Sequence, residues 1–157
     1  MGRISHISPL CFLTLIAALL FPADGRAGSL PLFFTNLTIE NGLSSNVTNS
    51  IVQDDYGFVW IGTQEGLCRY DGYKMTSFQN NNTPQSISSN NISSLLNDGD
   101  HLWVGTWNGL CKINVRTFQV TRVNTGSSKV IRALLKDHNG NIWIGTSNGL
   151  LVYSETR

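Results

Sequence analysis

Charged residues are scarce in this chain. They make up 13% of its 157 residues, and the formal net charge at pH 7 is only +1. So balanced a composition argues against nucleic acid or an acidic polymer as a partner. Long helical or disordered repeats are also missing, whereas 15 glycines accompany many asparagine, serine and threonine residues. This composition favours an all-β chain rich in turns.

Long hydrophobic runs are absent except for one, at residues 9–21. The run follows a basic N-terminus and precedes small residues, which is the pattern of a secretory signal peptide over 1–27, cleaved after Ala27 or alternatively after Ala23. An uncleaved membrane anchor is the other interpretation, but a spanning helix needs about 20 apolar residues. We therefore expect a mature chain, 28–157, that is periplasmic or otherwise exported and has no membrane span.

One nine-residue phrase occurs three times in the remaining sequence. Its tryptophans recur at a spacing of about 40 residues, and the flanking residues match as well. Such a period, with four short apolar stretches in each unit, is typical of β-propeller blades. The three copies read VWIGTQEGL, LWVGTWNGL and IWIGTSNGL, and the predicted blades cover 44–79, 87–123 and 127–157.

Each complete unit contains four predicted strands, a to d, joined by tight turns. In the first unit they cover 48–54, 58–63, 67–71 and 74–78. The third unit is incomplete because it lacks its d strand, while a stray strand is predicted ahead of the first unit, at 32–39. Propellers need at least about four blades, and three units leave exposed sheet edges. The sequence therefore predicts a partial propeller over 28–157, the first portion of a larger ring.

The phrase itself has a structural explanation. Its tryptophan offers the largest apolar surface for filling the wedge between blades. The glycine two positions later lets an adjacent backbone or the indole approach closely, and the following threonine can bond the next turn through its hydroxyl. Asn-Gly or Glu-Gly then supplies the tight turn. We therefore predict that the phrase builds blades and has no catalytic role.

The cysteines point to no metal or cofactor. Cys11 lies in the signal peptide, and Cys68 and Cys111 occupy equivalent positions where the third unit has Leu151. A position that accepts cysteine or leucine is typical of a small buried apolar site, so free thiols are expected. A disulfide is the alternative, since export permits one. No Cys-x-x-Cys or Cys/His metal spacing is present.

A ligand site is predicted at the loops that share one end of the blades, the b–c turns and the d–a loops. Trp107 breaks the internal pattern there, and an indole beside amides and a carboxylate is typical of sugar recognition. The alternative is that Trp107 packs over its neighbouring blade. Arg132 on strand a is predicted to face the central channel. The candidate ligand-binding residues are Trp107, Asn108, Gln64, Glu65, Asn148, Asn46, Asn90, Lys129 and Arg132.

No catalytic constellation can be assembled from the sequence. His101 and His138 fall in a–b turns, at the end opposite the candidate ligand loops. No carboxylate pair, Ser/His/Asp set or metal cluster is evident, so we predict no enzymatic activity in this chain. A propeller lyase or glycosidase remains a third alternative.

The repeats resemble the two-component-regulator propeller repeat, whose pattern runs approximately I..i..D..G.iWigT..GL.ry. The second unit departs mildly, with a shortened a–b turn and Ile113 at the tyrosine position. The opening residues look like the start of the periplasmic sensor region of hybrid two-component histidine kinases of Bacteroidetes. The matching positions are Asp54, Gly57, Trp60, Ile61, Gly62, Thr63, Gly66, Leu67 and Tyr70 in the first unit, and Asp137, Gly140, Trp143, Ile144, Gly145, Thr146, Gly149, Leu150 and Tyr153 in the third.

The resemblance implies a sensory function. In that family the propellers lie outside the inner membrane and sense a ligand, often a breakdown product of a polysaccharide, ahead of a kinase that this chain lacks. The resemblance therefore predicts binding of a small molecule or oligosaccharide and partnership with further blades and signalling domains, with homodimerisation also open. A structural or protein-binding propeller is the alternative.

Overall fold

A computed structural model of the chain describes residues 32–127 and 129–154. The predicted signal peptide, 1–27, lies outside these residues. Within them, no helix is long and apolar enough to cross a membrane. The chain divides into two compact units, 1–35 and 36–157. Of the first unit only 32–35 are described, and they have no regular secondary structure.

The second unit contains three antiparallel sheets, which we call blades 1 to 3. Each is a meander whose strands pair in sequence order, with four, four and three strands respectively. The all-β propeller architecture is therefore confirmed, including an incomplete third blade within the described residues. The strands are β1 Thr48–Gln53, β2 Val59–Thr63, β3 Leu67–Tyr70, β4 Met75–Phe78, β5 Ile92–Asp98, β6 His101–Thr106, β7 Gly109–Asn114, β8 Val120–Val123, β9 Ile131–Lys136, β10 Ile142–Thr146 and β11 Gly149–Tyr153.

The first strand of every blade contains a register irregularity after its first residue. Thr48 pairs with Thr63 and Ser50 with Gly62, so that Asn49 is skipped in the ladder. The same shift skips one residue of β5 and one of β9. Such bulges re-aim a side chain. The skipped residues are Asn49, Ser93 and Arg132.

Most of the hydrophobic core lies between blades, and a third, smaller cluster of Leu43, Ile61 and Cys68 lies on the other face of blade 1. One face of blade 1 packs against blade 2, and the equivalent face of blade 2 packs against blade 3, because each sheet is apolar on both faces. Trp60 and Trp103 of the repeated phrase are 0% and 1% exposed in these two interfaces. The first interface contains Val52, Trp60, Leu67 and Phe78 against Ile87, Ile92, Leu95, Leu102, Val104, Cys111, Ile113, Val115 and Val120. The second contains Leu96, Trp103, Leu110 and Val123 against Ile131, Leu134, Ile142, Ile144, Leu151 and Tyr153.

Two glycines of the phrase are required by this stacking. A Cβ atom on Gly62 would lie 2.6 Å from Ile92 Cγ2, and one on Gly105 would lie 2.7 Å from Ile131 Cγ2. Both isoleucines begin the first strand of the next blade. The close approach predicted at this glycine occurs, but the approaching group is the isoleucine side chain of the following blade and not a backbone or the indole.

The segment ahead of blade 1 differs from the prediction of a stray strand at 32–39. Residues 32–38 have no regular secondary structure, and Ile39–Asn41 form one 3-10 turn. A strand requires a partner for its backbone groups. Here local side chains supply the bonds instead, since Asn41 Oδ1 accepts from Thr38 N and Asn46 Oδ1 accepts from Ile39 N.

The two described cysteines are free and buried, as predicted. Ser44 N donates to Cys68 Sγ at 3.3 Å, which ties the loop ahead of blade 1 to its third strand. Burial raises the pKa of the Cys111 thiol, so this thiol stays protonated and unreactive near neutral pH.

Candidate functional site

The predicted ligand loops do lie together at one end of the blades, which we call the loop end. In every blade, the turn between the second and third strands bonds the loop that precedes the first strand. The backbone N–H of Gln64 donates to Val47 O at 3.2 Å, that of Trp107 to Asn91 O at 3.1 Å, and that of Ser147 to Val130 O at 3.0 Å. Each blade therefore presents a turn and a loop side by side.

The turns at the loop end are rigid because of the threonine that ends the phrase. Thr106 Oγ1 donates to Gly109 O at 2.8 Å and accepts from Asn108 N at 3.1 Å. The same two bonds occur at Thr63 and at Thr146. The predicted bonding of the turn by this hydroxyl is confirmed. The residues in the middle of each turn are thus held outward and are free to differ between blades.

Trp107 is the one aromatic residue in these turns, and it is 59% exposed. Its equivalents in blades 1 and 3 are Gln64 and Ser147. With most of its ring open to solvent, Trp107 is available for stacking on a ligand, and packing over a neighbouring blade accounts for only a minority of its surface. Asn108, the next residue, is also exposed.

A small cavity opens at the loop end beside the turn of blade 2. Its volume is about 180 Å³. Two of the predicted residues, Asn108 and Lys129, line it together with Arg122 and the buried Ser88. Among its described lining residues, cationic and amide groups are present and carboxylates are not. The cavity therefore suits hydroxyl-rich or acidic groups.

Two of the predicted site residues have structural partners. Asn46 Oδ1 accepts from Ile39 N at 3.0 Å, and Asn90 Oδ1 accepts from Asn80 N at 2.7 Å. Both side chains therefore hold loops in place. Gln64, Glu65 and Asn148 are exposed at their turns, and Glu65 additionally accepts from Gln79 Nε2 through its backbone carbonyl.

Arg132, which was predicted to face the channel, lies at a bulge in the first strand of blade 3. It is the residue skipped at the bulge of β9, and its side chain is exposed. Its counterparts in the other blades bond the following blade, since Asn49 Nδ2 donates to Ile92 O at 2.7 Å and Ser93 Oγ donates to Ile131 O at 2.6 Å.

Arg122 was missed by sequence reasoning. It lies on β8, an outer strand, and its Nη2 donates to Thr83 O in the long loop at 79–91. That loop is well organised, because Asn80 Nδ2 donates to Ile87 O and Ser88 O. A signal that could have found it is the length of the 79–91 loop, which reaches the outer strand of the following blade.

The opposite end of the blades carries a repeated contact that is structural. In each blade an aspartate at or just after the end of the first strand accepts from the indole of the phrase tryptophan: Asp54 from Trp60 at 2.8 Å, Asp98 from Trp103 at 3.0 Å and Asp137 from Trp143 at 2.9 Å. The bond from Trp143, with another from Asn141, holds the pKa of Asp137 well below its usual range.

Two opposing effects act on the pKa of Asp98. Its partial burial tends to raise the pKa, but hydrogen bonds from Lys136 and Trp103 outweigh this effect, and the pKa is lowered. Across residues 32–127 and 129–154, no group of three or more His, Cys, Asp or Glu side chains could hold a metal ion. Hydrogen bonds within the blades hold these three aspartates in place.

The repeats match a family model. The model described as "Two component regulator propeller" matches residues 42–65, 86–108 and 125–148. In each blade, the matched stretch runs from the loop before the first strand to the turn after the second strand.

A curated relative also matches part of the chain. It is named Histidine kinase P4, from Formosa agariphila, and is 38% identical over 56 residues, which are 36% of this chain and 4% of the relative. The chain therefore spans a small fraction of the length of the relative it matches.

Solved structures support the fold alone, because their identities are low. An extracellular domain from B. thetaiotaomicron, assigned to a one component system, superposes with a TM-score of 0.64 at 22% identity over 79% of this chain and 19% of that chain. A computationally designed protein, Ika4, superposes with a TM-score of 0.50 at 19% identity over 68% of this chain and 64% of that one.

Proposed function

We propose that this chain, whose three repeats belong to the two-component regulator propeller family, is an extracytoplasmic ligand-binding part of a two-component sensor. Its ligand is a carbohydrate-derived small molecule or oligosaccharide. The chain itself has no catalytic activity, and the signal passes to domains outside it.

The observation that carries this proposal is the contrast between the two ends of the blades. At the opposite end, the aspartate–tryptophan contact is the same in all three blades. At the loop end, an identical threonine framework presents Gln64, Trp107 and Ser147. Binding sites occur where a rigid scaffold supports variable loops.

Sugar chemistry fits the loop end of blade 2. An exposed indole offers an apolar ring face for stacking on the C–H face of a pyranose. The neighbouring cavity provides amide and cationic donors at Asn108, Arg122 and Lys129. These groups bind hydroxyl or carboxylate oxygens, and the small number of polar groups fixes the orientation of a ligand.

Transmission follows from the location of this cavity. Its lining residues come from the turn of blade 2 and from the loop that leads into blade 3. A ligand that contacts both Asn108 and Lys129 would favour one spacing of these blades over another, and only such differential contact can shift a conformational equilibrium.

The test is calorimetric titration of the full chain with a panel of neutral and acidic oligosaccharides. A ligand is expected from this panel, and Trp107→Ala is expected to weaken its binding at least about tenfold, which corresponds to about 1.4 kcal/mol. The matched control is Tyr73→Ala, since Tyr73 is another exposed aromatic residue, in the turn between β3 and β4.

The same titration separates the alternatives. Binding that is equally strong in Trp107→Ala and the wild type would contradict a site at the loop end of blade 2. Binding of no member of the panel would favour a scaffold or protein-binding propeller. Cleavage of a bound oligosaccharide, detected by mass spectrometry of the ligand, would favour a lyase or glycosidase.

A further inference from the structure

The cavity beside the turn of blade 2 is lined by two cationic side chains. Arg122 lies on β8, the outer strand of blade 2, and Lys129 lies in the loop that leads into blade 3. Both side chains are exposed, and none of the described residues that line the cavity is an aspartate or a glutamate. All the lining residues belong to blade 2 and to the loops on either side of it, so the positive charge is a property of the junction between blades 2 and 3.

The equivalent place between blades 1 and 2 has different chemistry. The strand register fixes the equivalent of Arg122, because β4 pairs with β3 as β8 pairs with β7. The matching loops and turns of the repeats fix the equivalents of the other two residues. A carboxylate and two neutral groups therefore stand where the second junction has two cations and an amide. The equivalents of Arg122, Lys129 and Asn108 are Ser77, Asn90 and Glu65 respectively.

The exchange of asparagine for Lys129 changes what this loop position can do. Its equivalent, Asn90, accepts from Asn80 N at 2.7 Å through Oδ1 and so holds the 79–91 loop in place. An ammonium group has donors but no acceptor, so Lys129 cannot make this bond. Between blades 2 and 3 the position supplies a positive charge to the cavity instead.

Arg122 is already oriented by a bond to the neighbouring loop. Its Nη2 donates to Thr83 O at 2.9 Å. A guanidinium carries several N–H donors in a planar fork that matches the oxygens of a carboxylate or a similar anion. The bond to Thr83 uses one of these donors and reduces the freedom of the group, so less conformational entropy is lost when an anion binds. The hydroxyl of Ser88, a residue only 5% exposed, lines the same cavity.

From these observations we infer that the cavity binds the acidic group of an acidic oligosaccharide, either a carboxylate or a sulfate, with Arg122 and Lys129 as the residues that select it over a neutral sugar. This inference rests on the proposed function, because it names the ligand class for the same site. Hydrogen bonds in which both partners are charged are stronger than those between neutral groups. The two cations therefore supply selectivity for charge, and Trp107 supplies the stacking surface.

The experiment is calorimetric titration of the full chain with two matched pairs of oligosaccharides. One pair is an oligogalacturonate and its methyl ester, and the other is a sulfated galacto-oligosaccharide and its desulfated form. The acidic member of at least one pair is expected to bind at least about tenfold more tightly than its neutral partner. Added salt should reduce this advantage, because it screens charges that are accessible to solvent. The pair that shows the larger advantage identifies the acidic group as carboxylate or sulfate.

Two variants import the side chains of the first junction into the second. Arg122→Ser and Lys129→Asn should each weaken binding of the acidic member at least about fivefold, and they should change binding of the neutral member much less. The matched control is Lys74→Asn, which removes one positive charge from an exposed side chain in the turn between β3 and β4. It is expected to bind both members as the wild type does.

A further variant leaves the bond between Arg122 and Thr83 in place. Asn108→Glu introduces the carboxylate that blade 1 has at the same position of its turn, and it should weaken binding of the acidic member through repulsion. Asn108→Gln has a side chain of the same length without the charge and should lose far less affinity. Circular dichroism checks that each variant is folded, and the Asn108 pair decides the matter should Arg122→Ser unfold.

The possible failures are distinguishable. Equal binding of the acidic and neutral members would overturn this inference and leave the proposed function standing. A preference for the acidic member that Arg122→Ser, Lys129→Asn and Asn108→Glu reduce no more than Lys74→Asn does would also overturn it, because the selecting charge would then lie elsewhere. Binding of no member of either pair would contradict the proposed function, and this inference with it.

Discussion

Blades 2 and 3 contain nearly the same phrase in two different surroundings. In blade 2 the next blade covers the phrase, and Trp103 and Thr106 are 1% and 0% exposed. In blade 3 the corresponding Trp143 and Thr146 are only half-buried. The hydrogen bonds within each blade are alike, since both tryptophans donate to an aspartate at or just after the end of the first strand. This difference shows that the phrase forms one half of an interface between blades. How much the phrase stabilises the fold therefore depends on whether a following blade covers it.

The tryptophans are expected to show the largest difference between these blades. Trp103→Ala should lower the free energy of unfolding by about 3–5 kcal/mol, the usual cost of removing a buried aromatic side chain. Trp143→Ala should cost less, because part of its side chain already faces solvent. Urea denaturation of the two variants and the wild type measures both losses. Equal losses of unfolding free energy in the two variants would contradict this difference between the blades.

Alanine substitutions at the phrase glycines test the same difference between blades 2 and 3 without removing any apolar surface. An added methyl group at Gly105 would lie 2.3 Å from Ser94 Oγ and 2.7 Å from Ile131 Cγ2. Gly105→Ala should therefore cost about 1–3 kcal/mol through overpacking. Gly145→Ala meets only ordinary contacts and should be neutral or stabilise by about 0.4–1 kcal/mol through the unfolded chain.

Thermal unfolding of the two alanine variants under the same conditions makes this measurement. A destabilised Gly145→Ala variant would mean that this glycine is needed for packing within its own blade. The interpretation of the phrase as an inter-blade contact would then fail at this position.

The threonines should show a smaller difference. Thr106→Val removes a buried hydroxyl that bonds Gly109 O and Asn108 N, and it should cost about 1–2 kcal/mol because those groups are left partly unsatisfied. Thr146→Val leaves its partners closer to water and should cost about 0.5 kcal/mol or less. Urea denaturation measures the two losses, and a larger loss for Thr146→Val would reverse the predicted order.

The smallest expected effect is a dependence on pH at the opposite end of blade 3. Because the pKa of Asp137 is lowered in the fold, its carboxylate stabilises the protein above its unfolded pKa of about 4, and this stabilisation is lost as the pH falls below that value. Asp137→Asn should lower the melting temperature at pH 7 and reduce its decline between about pH 5 and pH 2. Glu40→Gln is the control, and an identical acid decline in Asp137→Asn and the wild type would contradict this assignment.

The blades could be predicted from the sequence because the repeated phrase contains the second strand and the turn that follows it. The strand around Trp60 was predicted at 58–63 and is found at Val59–Thr63. The roles of Gly62 and Thr63 also followed from residue type and position. The strand at 32–39 could not be judged in the same way, because strand formation there depends on a partner edge and not on local propensity.

The site could be predicted only in part. Loops at one end of the blades follow from the meander, and they brought Asn108 and Lys129 to one cavity. Arg122 could not be found, because its placement depends on the path of the 79–91 loop. The partners of Asn46 and Asn90 lie in loops, where sequence pattern carries little geometric information. Ligand binding by Trp107 stays a prediction.

The central claim is that a neighbouring blade stabilises the repeated phrase. Native-state hydrogen exchange of two matched peptides, 102–106 and 142–146, tests this claim most directly. In dilute solution, the peptide from blade 2 should exchange only through global unfolding, and the peptide from blade 3 through a smaller local opening. Equal protection of both peptides would contradict this account of the fold.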